Sequence, residues 1–434
     1  MPSNTTAIWI LCATFCVFLL LRFPVALVLV ISSIATIWYL DMPIVVVAQQ
    51  TLQGINQFSL LAIPFFILTG QLLGAGGLAT RIVDFANVFV GRLPGGLSIV
   101  NSVACMFFGN LSGSAVADTS AIGSVMIPIM KSKGYSADYS VGVTIASAIQ
   151  GVVVPPSHNL VLYSIVAATV VGGISVGKLF MAGILPGFML LGTLSVVGVI
   201  ISIKRKYPKG DPVERRKIPL IILNGFLSLT PAVLILGSII FGVATATEAG
   251  ALAVVYSFCL GFFGYRELKP KHLWPVLVRT FRTVLMVFFL IGASGAFGYV
   301  MTILRLPDLI TQGFLAISET PWVILLMINI LLLLLGGPMD MAPMIVILTP
   351  ILLPVCVKLG MDSIQFGLLL IFNAGMGLLT PPVGTVLFVG CAIGKVSVNA
   401  GTKAMMPFFL AMMIVLFLIT YHPPVTMWLP SFVK

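Results

Sequence analysis

Two glycine and proline breaks, 226 residues apart, constrain this chain more than any other feature it has. A shift of that length places Pro128 on Pro354, Gly134 on Gly360, Gly151 on Gly377, Pro155 on Pro381 and Pro156 on Pro382. In each half an apolar segment is interrupted by small or polar residues (Asn110 to Ser114; Gly336 to Asp340), and a second, about forty residues on, is broken by Gly-x-x-x-Pro-Pro. Glycine lets the backbone unwind, and paired prolines remove donors and leave upstream carbonyls without helical partners. Hydrophobic residues make up 59% of the chain and charged residues 8%, a balance that suits a bilayer and not water. In hydrocarbon every unpaired backbone group is costly, so irregular backbone at that depth must face protein or a water-filled cavity.

The apolar runs predict an all-α polytopic membrane protein. Crossings are expected at 4–21, 23–40 and 58–76, with an amphipathic connector at 42–57 and an arm too polar to span at 77–93. Residues 96–130 form two apolar halves, each too short to cross alone, and read as a re-entrant helical hairpin. A crossing at 137–171 is broken at 151–157, and 178–203 closes the first half. The loop 204–217, with seven basic and two acidic residues, separates the halves. The second half replays the order: crossings at 218–242, 245–264 and 281–304, an arm at 305–320, a hairpin at 322–357, a broken crossing at 363–395 and a last helix at 402–421.

Five crossings per half is an odd number, so the halves (1–203 and 218–434) should be inverted repeats. The charges agree. With the 204–217 loop in the cytoplasm, all of the 23 Lys and Arg residues except Lys178, Arg305, Lys358 and Lys434 fall on that side, as the positive-inside rule requires. The net charge of +11 is then topological, because the basic residues punctuate hydrophobic spans instead of forming the solvated face that nucleic acid would need. Ala7 to Leu21 lacks a basic leader and cleavage site and reads as a first spanning helix. The six cysteines lie in apolar segments without metal spacing and read as packing residues.

Paired breaks at matching positions are the sequence pointer to a secondary transporter's binding site. Free carbonyls beside hydroxyls suit a small hard cation such as sodium. The first site is expected from Ser112 and Ser114 oxygens with carbonyls near Gly151, Val154 and Pro156, and the second, by the repeat, from Gly337, Gly377, Thr380 and Pro382. Half-helices beginning after each break aim their positive ends at the same cavity, which suits an anion. Asn110, Ser157, His158, Asn159, Asp340 and Thr385 are the candidate substrate contacts. Asp118 and Asp340 flank the hairpin tips, where a buried carboxylate suggests cation binding or proton relay, although Asp340 would repel an anionic substrate. Glu248 opens a helix and favours its N-terminus. The alternative for the breaks is that they only kink packed helices, and for His158 that it packs at a helix end. No arginine lies in either break, so an acid would depend on helix ends, backbone amides or partner proteins.

Gly292-Ala293-Ser294-Gly295 with His422 resembles the Gly-x-Ser-Gly and later His of rhomboid intramembrane proteases, but small-residue helix packing explains the motif better, and a protease would not need the inverted repeat. A much wider resemblance runs along nearly the whole chain. Ile63 to Gly70 (IPFFILTG), Leu93-Pro94-Gly95-Gly96, Ser112-Gly113-Ser114, Pro128-Ile129-Met130 with Gly134-Tyr135, Pro155-Pro156-Ser157, Ala246-Thr247-Glu248-Ala249 and Thr380-Pro381-Pro382-Val383-Gly384 resemble the large membrane subunit of the tripartite ATP-independent periplasmic (TRAP) transporters. The resemblance implies an elevator-type sodium symporter of the bacterial inner membrane. It implies as partners a small four-helix membrane subunit, here as a separate chain, and a periplasmic binding protein that delivers an organic acid, with sialic acid and C4-dicarboxylates as the leading substrates. A sodium/dicarboxylate symporter that works without a binding protein shares the architecture and is the main alternative.

Overall fold

The two broken helices sit at the centre of the molecule because they have no polar face to show. Residues 139–157 and 364–379 are buried without interruption, as expected of helices that are apolar or small all round. A computed structural model describes residues 3–21, 23–210, 213–381 and 384–432, and the regular structure of these residues is helical throughout. Seven helices are long and apolar enough to cross a bilayer, nine if each of two bent pairs is one span. The chain is a multi-pass membrane protein.

The first hairpin consists of Gly96–Ser112 and Ala115–Ser132, packed against each other. The broken helix that follows runs through Ala137–Ala148 and Gln150–Val153, is interrupted at 154–157, and resumes as His158–Val171 with a bend of 46°. In the second half Pro321–Gly336 and Met341–Lys358 form the corresponding pair, followed by Ser363–Gly377 and Thr385–Gly394. Matching caps set the local geometry. Ser114 and Asp340 each cap the second helix of their pair, and Gly134 and Gly360, both at φ +86°, turn the chain into the broken helix. A left-handed φ of that size is available to glycine at little cost.

Two packed groups of helices emerge. Val25–Tyr39, Val45–Ile55, Phe58–Ala75, Ile218–Ile240, Ala246–Gly264 and Pro270–Ile303 pack on one another and form a frame. Hairpins and broken helices form the other group, and Val176–Lys204 and Val398–Tyr421 pack directly onto it. The amphipathic helix Leu78–Val90 reaches the frame through Arg81, which pairs with Glu267 at 2.7 Å and lies 3.9 Å above the Tyr265 ring. The same helix packs on the first hairpin, as its counterpart Leu306–Ile317 packs on the second, where Asp308 pairs with Lys358 at 3.1 Å.

One boundary differs from expectation in a way that matters for the site. The helix predicted to begin at Phe281 begins at Pro270 and runs 34 residues to Ile303. Hydropathy finds only the part of a helix that lies in hydrocarbon. The first four turns carry Lys271, Arg279 and Arg282, yet proline at the first helical position starts the helix outside the apolar core, and it runs on through Pro275.

Candidate functional site

At each hairpin tip a pair of glycines lets two backbones meet. A Cβ built on Gly109 would stand 2.5 Å from the Gly151 Cα, and one on Gly336 would stand 2.9 Å from the Gly377 Cα. No larger residue fits at either crossing. Just before each crossing a polar pair ties hairpin to broken helix: Ser102 to Ser147 at 2.8 Å in the first half, Asn373 to Asn329 at 2.8 Å in the second. The first hairpin tip turns at Gly113 (φ +63°), whose N–H donates to the Gly109 carbonyl. Its own carbonyl accepts from the Asn159 amide at 2.8 Å, which fastens the restart of the broken helix to the tip. His158 packs so closely on Gly113 that a side chain there would overlap its ring.

Both tips open on one cavity of about 910 Å³, a size suited to a small organic molecule. Of the residues expected from sequence, Ser112, Ser114, His158, Asn159, Asp340 and Thr385 line it together. The Thr385 hydroxyl is buried there without a hydrogen-bond partner. Asp340 uses Oδ1 to accept from the Met341 N–H at 2.8 Å and keeps its carboxylate exposed. Ser157 and Asn110 do not reach the wall. The Ser157 hydroxyl turns back to the Val152 carbonyl at 2.9 Å, inside the break, and Asn110 is buried with its Oδ1 unpaired.

The residues expected to hold cations lie at the tips and behind the cavity wall. Ser112 Oγ donates only weakly, at 3.3 Å to the Gly109 carbonyl and 3.5 Å to the Ser114 carbonyl. Gly151 stands at the first crossing, and the Pro155–Pro156 bond is cis. The Val154 side chain packs into the space left by Gly187. In the second half Thr380 Oγ1 donates to the Gly377 carbonyl at 2.8 Å and stands 3.4 Å from where a Gly337 side chain would be. Pro382 lies outside the described residues.

Several side-chain oxygens of the first hairpin and its broken helix have no hydrogen-bond partner. Asp118 is fully buried with the Cys105 thiol beside it, and among the described residues no N–H or O–H donates to either carboxylate oxygen. One of them lies 2.8 Å from the Cβ position of Gly109, next to the Gly109–Gly151 contact. Asn110 Oδ1, Thr119 Oγ1 and Gln150 Oε1 are also unpaired. Buried acceptors normally find a partner, and oxygen atoms are the ligands that a hard cation takes.

Sequence reasoning missed Arg279. It lines the cavity from the Pro270–Ile303 helix, together with Val276, Thr283, Met286 and Val287. The signal was present in the three- and four-residue spacing of these positions, but it fell in turns that hydropathy had left outside the helix. Ser294, in contrast, is occupied in packing: its hydroxyl donates to the Ile291 carbonyl, and Gly292 and Gly295 press against the helix carrying Gly54.

Comparison with known proteins fixes the family. Residues 12–425 match the family of the tripartite ATP-independent periplasmic transporter, DctM component. The chain belongs to this family. It is 40% identical over 425 residues to the uncharacterized protein YgiK of Salmonella typhimurium, with 97% of each chain covered. The sialic acid TRAP transporter large permease protein SiaM of Vibrio cholerae is 38% identical over 384 residues, 88% of this chain and 89% of that one. The C4-dicarboxylate TRAP transporter large permease protein DctM of Pseudomonas aeruginosa is 37% identical over 376 residues, 87% of each. Among solved structures, the YdaH transporter of Alcanivorax borkumensis superposes with a TM-score of 0.61 over 87% of this chain and 88% of that chain, at 14% identity. That likeness is one of fold.

Proposed function

We propose that this TRAP large permease imports an organic acid across the bacterial inner membrane, driven by sodium and supplied by a periplasmic binding protein. The observation that carries the proposal is the single cavity lined by both hairpin tips and both restarted half-helices. Cations held behind the tips would draw the two hairpins into the shape that the substrate requires, so sodium and acid bind better together than apart. Ser112, Ser114, Gly151, Val154 and Pro156 would hold one ion, with Asp118 as its nearest full charge. Gly337, Gly377, Thr380 and Pro382 would hold the other. Asn159, Thr385, Ser114 and His158 offer polar contacts to the acid.

Transport then follows an elevator path. Hairpins and broken helices, which pack into one core, move together against the frame and expose the cavity to each side in turn. The two halves lie inverted, with the 204–217 loop in the cytoplasm. A separate small membrane subunit covers part of the frame's apolar surface, and the binding protein docks on the periplasmic side. The relatives named for sialic acid and for C4-dicarboxylates support an organic acid as substrate, and they differ enough to leave its identity to experiment.

The test is uptake into proteoliposomes that carry this chain with its small partner. N-acetylneuraminate, succinate and isethionate are offered with and without a sodium gradient and the cognate binding protein. Uptake that requires both is expected. Uptake without sodium refutes the coupling, and sodium-driven uptake by the membrane proteins alone assigns the chain to the self-sufficient symporters.

A further inference from the structure

The cavity wall is shared between the two groups of helices, and its guanidinium belongs to the frame. Val276, Arg279, Thr283, Met286 and Val287 follow one another at intervals of three, four, three and one, which is one face of a helix. That face is turned to the cavity. Among the described residues, neither Arg279 nor Asp340, the acidic residue of the wall, takes part in an ion pair. An unpaired guanidinium beside about 910 Å³ of space is a planar fork with nothing in it, and a carboxylate or sulfonate is its natural complement. Arg282, three residues on, is exposed but not part of the wall.

We infer that Arg279 is the frame's acid-binding residue, pairing with the substrate's acid group only while the cavity lies against the Pro270–Ile303 helix. The inference rests on the proposed elevator transport of an acid. Contacts from Ser114, Asn159 and Thr385 travel with the hairpins and broken helices. The helix carrying Arg279 packs on Val25–Tyr39, Val45–Ile55 and Phe58–Ala75 and stays behind. A contact made in one state and lost in the other shifts the balance of states by its own strength. Arg279 stands nine residues into its helix, about 14 Å from the end nearest the basic loops at 1.5 Å per residue. With those loops inside the cell, the state that Arg279 favours is the cytoplasm-facing one. Specificity for the acid group is then imposed at release as well as at delivery by the binding protein.

The two faces can be separated with right-side-out and inside-out membrane vesicles loaded with N-acetylneuraminate, succinate or isethionate and assayed for exchange. Arg279→Gln is expected to raise the half-saturating acid concentration about tenfold in inside-out vesicles and less than about twofold in right-side-out ones, the size of one lost charge-assisted pair. Sodium half-saturation, read at saturating acid, should not move, which also shows that the variant is folded. Arg279→Lys should recover part of the affinity, having the charge without the fork, and Arg282→Gln should match the wild type. Unchanged affinity on both faces, or an equal loss on both, overturns the inference while leaving transport intact. A wild type that exchanges none of the three acids, with its small subunit and binding protein present, removes the proposal that it carries acids of these classes.

Discussion

The two hairpin crossings share a geometry and differ in chemistry. Each is built on a glycine pair, Gly109 with Gly151 and Gly336 with Gly377, and each is preceded by a polar tie between hairpin and broken helix. The side chain that fills the space beside the crossing is not the same. In the first half it is the Asp118 carboxylate, and 226 residues later it is Met344, whose sulfur lies 3.4 Å from the Cβ position of Gly336. The close backbone approach is common to the two crossings, and the acidic side chain belongs to one of them.

The largest effects should come from the shared part. An added Cβ at Gly151 or Gly377 meets backbone, which cannot turn aside. Gly151→Ala and Gly377→Ala are each expected to destabilise the protein at the upper end of overpacking costs, about 3 kcal/mol. Gly192→Ala and Gly298→Ala, where the Cβ meets nothing within 4 Å, serve as controls. Thermal unfolding in detergent and the monodisperse yield report the outcome. A tolerated alanine at one crossing and not at the other would break the equivalence on which the comparison stands.

The difference in charge gives the next effect. An unpaired carboxylate in the interior is unfavourable unless something positive meets it, so Asp118 should weaken the sodium-free protein and strengthen the sodium-bound one. Asp118→Asn is expected to raise the sodium concentration for half-maximal uptake about tenfold or more. It should also remove most of the sodium-induced rise in unfolding temperature, because a ligand stabilises only through its affinity for the folded state. Met344→Leu should change neither. If Asp118→Asn keeps the full response to sodium, the carboxylate does not serve the cation.

These contrasts show what the sequence could and could not reveal. Gly, Pro and hydropathy act through the backbone and the solvent, which are local, so the paired helices and the break positions could be read from the chain. Pairwise geometry is not local. Nothing in the string of residues says that Asp118 leans against Gly109, that Ser157 turns inward to Val152 while its neighbour Asn159 reaches the tip, or that Val176–Lys204 packs with the hairpins. Arg279 was hidden for a different reason: a charge marks where hydrocarbon ends, and reading it only as that marker started the helix too late to place the residue in the wall.

The smallest contrast is between the two hydroxyls expected to meet the cations. Ser112 Oγ makes only long bonds, and it also accepts from the Ser114 N–H at 3.3 Å. Replacing it with alanine removes a potential ligand and a support of the tip turn together. Thr380 Oγ1 donates a 2.8 Å bond to the Gly377 carbonyl, so Thr380→Ala removes one oxygen but frees another that belongs to the same candidate site. Ser112→Ala should therefore raise sodium half-saturation by about fivefold and Thr380→Ala by about twofold, within the roughly 0.5–1.5 kcal/mol net worth of a single neutral hydrogen-bonding group. Sodium activation curves for the two variants, taken side by side, decide between them. An unchanged curve in both would detach these hydroxyls from the cation sites. A larger effect at Thr380 would mean that its bond to Gly377 shapes the second site and does not compete with it.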